Sequence, residues 1–201
     1  MTETIIKAVN GKHPHWGDHC HFAENATIVG DISMGDDCSV WYGAVLRADV
    51  DRIIIGDRCN IQDLACIHQT AGRPAILGND VSLGHGAVVH AATIHDGALI
   101  GMNAEVLDLA EVGEGSIVAA GAVVLEKTVI GPGELWAGVP ARFVKKIDPD
   151  KARSYARHYC QYKQSLSPAP TEDMNKLTDK PLFPGFRWRS TPGYIPQPLR
   201  G

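Results

Sequence analysis

Aromatic residues make up only 6% of this 201-residue chain, so a core large enough for a domain has to be aliphatic. No apolar run approaches the ~20 residues that cross a bilayer. The start, Met1-Thr2-Glu3-Thr4, lacks the basic-then-apolar build of a secretory leader. The five cysteines (Cys20, Cys38, Cys59, Cys66 and Cys160) contain no CxxC pair and are odd in number. That pattern argues against a disulfide framework and for a reducing, cytoplasmic setting. There is no block of like charge suited to a membrane surface. A formal net charge of −4 argues against nucleic acid as a partner.

Glycine, by contrast, is plentiful at 21 residues, as in a chain that turns often. From Ile28 an aliphatic residue returns every six positions, through Met34, Val40 and Leu46. After a three-residue excess at about 49–52 the pattern resumes at Ile55, Ile61 and Ile67. After a four-residue excess at about 70–73 it continues through Leu77 and Leu83. One slip near Val88 and Val89 leads to Ile94, Ile100, Val106, Val112, Val118, Val124, Ile130 and Trp136. Four places after most of these stands a small residue, among them Ala44, Ala65, Ala87, Ala104 and Ala122. Cys38 and Cys59 share that frame and read as packing residues. A period of six fits neither an amphipathic helix nor an alternating strand; it is an internal repeat. The physical solution is an all-β triangular coil. Each hexad gives one short strand and one corner, three hexads make a turn, and turns stack at the ~4.8 Å strand spacing.

The chain divides into a coil with its entry segment at 1–146, a helix at 147–166 and a Pro-rich tail at 167–201. Asp148-Pro149 reads as a helix N-cap followed by proline at the first helical position. Ala152, Tyr155, Ala156, Tyr159 and Leu166 share one helical face, which predicts packing along the coil. The tail carries Phe183, Phe186, Trp188 and Tyr194 among its prolines and reads as an extended arm. His13, His15, His19 and His21 cluster in the entry segment and read as solvated surface residues.

Three other histidines lie inside the repeat. His68 and His90 are 22 residues apart; less the four-residue excess this is 18, one full turn. Arg47 and His68 are 21 apart; less three, again 18. Arg47, His68 and His90 therefore form one column, with Asp49 at its foot. His85, five residues before His90, lies around a corner on another face, with Gln62 within one position of standing under it. Zinc takes three nitrogens at ~2.0–2.1 Å and keeps a fourth position for water; iron or cobalt also suits three nitrogens. His85 cannot easily join the other two within one chain. The spacing therefore predicts a homotrimer, with the His68/His90 face of one subunit meeting the His85 face of the next and three shared metal sites.

Arg47-x-Asp49, Asn60-Ile61-Gln62-Asp63 and His68-x16-His85-x4-His90 resemble the γ-class carbonic anhydrase group of hexapeptide-repeat proteins over about residues 15–165. The resemblance implies a left-handed parallel β-helix, although the general rule for parallel crossovers favours the right hand. It implies His68, His85 and His90 as metal ligands, and an Arg47–Asp49 pair across the subunit interface. Gln62 would orient metal-bound water, Asp63 would help Arg47 shape the site, and Tyr155 would approach the pocket. The implied reaction is attack of metal-bound hydroxide on carbon dioxide to give bicarbonate. Two departures stand out: Val50 and Thr70-Ala71-Gly72-Arg73 occupy positions where the family's prototype has acidic proton shuttles. Asp51 is the nearby acid to nominate instead. Ile100-Gly101-Met102-Asn103-Ala104 resembles the phenylacetate-degradation and carnitine-operon relatives, which implies an acyl-CoA thioesterase as the alternative. Gly138-Val139-Pro140-Ala141-Arg142 is shared with hexapeptide acyltransferases, which use a single histidine base and need no metal.

Overall fold

The computed structural model describes residues 3–165; Leu166 and the extended arm expected at 167–201 lie outside the described residues. The chain winds as a left-handed parallel β-helix closed by one C-terminal helix. Three stacks of interior side chains carry the core, one per face. Ile28, Leu46, Ile67, Val89, Val106 and Val124 pair in succession on one face. Met34, Ile55, Leu77, Ile94, Val112 and Ile130 do so on the second. Val40, Ile61, Leu83, Ile100, Val118 and Trp136 form the third. Corners close on Ala44, Ala65, Ala87, Ala104 and Ala122, all fully buried, where any larger side chain would overpack the interior. Cys38 and Cys59 are buried corner residues whose thiols donate to the Gly56 and Gly78 carbonyls.

The coil begins a turn earlier than the aliphatic pattern suggests. Ile5–Lys7, His15–Trp16 and His21–Phe22 already pair with the turn above. Trp16 and Phe22 keep the six-residue frame, but as aromatics they do not register in an aliphatic count. His21 also departs from the expected solvated cluster: it is half-buried, its ring 5.5 Å from that of Trp41, and burial pulls its pKa down.

The two excesses bulge at one corner. Strands Thr27–Met34 and Val45–Ile55 each bend around it, and their register jumps from Gly30↔Ala48 to Ile32↔Ile53. Gly30 is required there. Its φ is +91°, and a Cβ would lie 1.9 Å from the Ala48 carbonyl oxygen. The second excess is a turn closed by the Arg73 amide donating to the Thr70 carbonyl, 2.9 Å. The slip is a short step, five residues instead of six, from Val89 to Ile94.

Helix α1, Pro149–Tyr162, begins at Asp148, whose side chain accepts from the Asp150 amide at 3.0 Å. Ala152 and Ala156 are buried against the third face. Tyr159 meets Trp41 edge-on and Tyr162 stacks on it, both at 5.5 Å. Arg153 pairs with Glu114 near one end, and Lys163 with Asp37 at 3.1 Å near the other. The helix is thereby strapped along the stack, past the level of His85.

Glu134 closes the top of the coil. It accepts from the Trp136 indole at 2.8 Å, the Lys146 ammonium at 3.0 Å and the Gly131 amide at 3.0 Å. The first two bonds, above all, hold its carboxyl below the ordinary value of 4.5. Such a group stabilises fully above its unfolded pKa and loses that contribution as pH falls through the lower folded value. Glu134→Gln should cost about 1.5 kcal/mol at neutral pH, measured by denaturant unfolding, with variant and parent converging in acid.

Candidate functional site

His90 stands directly over His68, since strands Cys66–His68 and Val88–His90 pair in register. Their rings are 5.1 Å apart, with His68 Nδ1 3.0 Å from His90 Nε2. Arg47 continues the column below, one place past the Leu46↔Ile67 pair. His85 lies on the neighbouring face, one place past the Leu83-Gly84 corner. Asp63, not Gln62, stands under it: His85 Nδ1 and Asp63 Oδ2 are 2.8 Å apart. Asp63 thus has His85 rather than Arg47 as its partner within the chain. Within the single chain, Arg47 pairs with Asp49.

Every one of the three imidazoles has one ring nitrogen on a carboxylate. His68 Nε2 is 3.0 Å from Asp49 Oδ1, and His90 Nδ1 is 2.5 Å from Asp108 Oδ1. Burial raises the carboxyl pKa of Asp49, but hydrogen bonds from His68 and Arg47 outweigh it and hold the group below its ordinary value. Asp108 shows the same balance, with His90 and Thr70 as the donors. An ionised carboxylate only accepts, so each neutral imidazole spends its single N–H on its aspartate and presents a lone pair from the other nitrogen. The remaining nitrogens, His68 Nδ1 and His90 Nε2, face each other across 3.0 Å, close enough to share a proton or to flank a cation. Two ~2.0–2.1 Å bonds at a tetrahedral angle subtend roughly 3.3 Å, within a few tenths of an ångström of that separation. Carboxylate-backed imidazoles are the usual supporting arrangement of histidine metal sites. The donor set therefore fits a divalent cation.

Among the described residues of a single chain, no three His, Cys, Asp or Glu side chains gather in metal-holding geometry. His85 is the outlier, with its side chain 47% exposed against 18% for His68. Asp51, the acid nearest the site in sequence, accepts from the Arg52 amide at 2.7 Å through one carboxylate oxygen. Gln62 is buried, its Nε2 donating to Asn60 Oδ1 at 2.9 Å, with Asn60 in turn donating to Ser82 at 2.7 Å. Gln62 and His85 open onto a cleft of about 390 Å³ between α1 and the coil, which Tyr155 also lines. Asp108 was missed by sequence reasoning, although it follows His90 by the same 18 residues that make one turn.

No family model matches the chain. It is 51% identical over 140 residues to a Methanocaldococcus jannaschii protein named "Probable carbonic anhydrase", covering 70% of this chain and 88% of that one. It is 41% identical over 174 residues to gamma carbonic anhydrase 3, mitochondrial, of Arabidopsis thaliana, covering 84% and 67%. Among solved structures, a Bacillus cereus protein provisionally described as an acetyltransferase superposes with a TM-score of 0.78 at 35% identity, covering 82% of this chain and 99% of that one. The coil, the histidine column and these relatives agree, and the chain belongs to the γ-class carbonic anhydrase-like family of hexapeptide-repeat proteins.

Proposed function

We propose that the protein is a metal-dependent carbonic anhydrase that interconverts carbon dioxide and bicarbonate as a homotrimer. His68 and His90 of one subunit and His85 of the next would hold the ion, zinc by default, with iron or cobalt also suited to three nitrogens. The observation that carries the reading is the carboxylate behind each of the three imidazoles, which occupies one ring nitrogen and leaves the other to serve as a ligand. When bound, a divalent cation supplies Lewis acidity and brings the pKa of water down to ~7.

The chain's own residues then have separable tasks. Asp49, Asp63 and Asp108 keep the imidazoles in the ligand tautomer. Arg47 holds the Asp49 carboxylate in place and adds positive charge beside the column, where a bicarbonate anion would gather. The Gln62 amide is anchored through Nε2, which leaves its Oε1 to accept a hydrogen bond from water in the site and so orient it. Tyr155 lines the same cleft as His85 and Gln62 and helps to bound the substrate space. The turn at 70–73 carries no acid to take the released proton, so proton exit falls to Asp51 or to buffer.

Metal analysis and a hydration assay test this directly. The protein as purified with zinc should carry about one ion per chain and hydrate carbon dioxide at a rate that rises with imidazole buffer. His90→Ala should lose both the metal and at least ~100-fold of the activity. A metal-loaded protein with no hydration under any supplied metal would defeat the reading.

One observation favours a second reading, hydrolysis of an acyl-CoA thioester. The cleft beside His85 is walled by Leu99, Met102, Ile117 and Ala120. At about 390 Å³ it is of the size that takes a drug-sized organic ligand, far more than carbon dioxide needs. Ala120→Phe should obstruct it. If the thioesterase reading holds, acyl-CoA turnover falls ~10-fold or more while hydration is unchanged; no turnover by the parent on a panel of acyl-CoA thioesters removes this reading.

A further inference from the structure

We infer that Asp108 is a positioning residue for His90, and that the turn at 70–73 exists to hold it; this rests on the metal-site reading above. The shortened step from Val89 to Ile94 sets Val89 beneath Val106, so Leu107 falls above His90 and Asp108 one place beyond. From there the Asp108 carboxylate reaches back to His90 Nδ1 at 2.5 Å. Its other oxygen accepts from Thr70 Oγ1 at 3.0 Å and faces the Arg73 guanidinium at 3.6 Å. Thr70 and Arg73 are themselves clamped together by the 2.9 Å turn hydrogen bond. Two hydrogen-bonding partners and one guanidinium, from two separate segments, thus converge on one largely covered carboxylate, whose side chain is 22% exposed.

The consequence lies at the imidazole. With Nδ1–H committed to Asp108, His90 has one tautomer and one ring orientation, and Nε2 is the nitrogen turned toward His68. The segment that carries no acid is, on this account, a scaffold for a ligand's support. Its Thr70 and Arg73 do for His90 what Arg47 does for His68 through Asp49.

The test is zinc affinity of the full-length protein, measured by competition with a chromophoric chelator. Removing a support of this kind typically weakens metal binding about 10–100-fold. Asp108→Ala should show that loss. Asp108→Asn, which keeps the shape and an acceptor oxygen but not the charge, should lose less, and Thr70→Val less again. The visible spectrum of the cobalt-loaded Asp108→Asn protein should shift as well, a change that mere pinning of the turn would not produce. Asp108→Ala and Asp108→Asn proteins that bind zinc as tightly as the parent, with an unaltered cobalt spectrum, would overturn the role of Asp108 alone. A parent that takes up no zinc would overturn this inference together with the metal site itself.

Discussion

Backbone hydrogen bonding between successive turns, one strand spacing apart, is the constraint from which the rest of the molecule follows. It places every residue over the one a turn earlier, so a side chain's neighbour is set by counting. The interior positions must then be aliphatic and the corners small, because three stacks share one narrow interior. The same counting that builds the core sets His90 on His68 and Asp63 beneath His85. A core with few aromatics is a result of this geometry: a wide ring fits only at the ends, as Trp16, Phe22 and Trp136 do.

The electrostatics of the site have one theme. Three imidazoles each lean on an aspartate, and each aspartate is held by something further: Asp49 by Arg47, Asp108 by Thr70 and Arg73, Asp63 by its place directly below His85 on the same face. The chain therefore prepares donors on two faces of the prism without bringing them together itself. In the proposed trimer the side of one subunit that carries His68 and His90 would meet the side of the next that carries His85.

The sequence revealed the fold and the column well, because both depend only on spacing. Ile28 to Ile130 could be followed hexad by hexad, and the two excesses could be subtracted to stack Arg47, His68 and His90. What escaped notice depended on chemistry or on single-residue offsets. Trp16 and Phe22 kept the frame but hid the first turn, since only aliphatic residues were counted. Gln62 was set near His85 to within one position, and that one position is the difference between an amide and the carboxylate of Asp63. Asp108 lies 18 residues past His90, yet its contact crosses a corner that is one residue short, a detail visible only once Val89 is seen beneath Val106. The Arg47–Asp49 pair could not be assigned to one chain or two by spacing, since both residues sit at the same outer edge.

On the proposed reading, neighbouring copies complete one another's site. Co-assembly of His85→Ala subunits with His90→Ala subunits tests it most directly, with bound metal as the readout. Each variant alone should hold no metal. A mixed trimer has one interface where intact His68 and His90 of the first variant meet intact His85 of the second, so metal should return at about one ion per mixed trimer. Mixed assemblies that stay as empty as the separate variants would contradict the account.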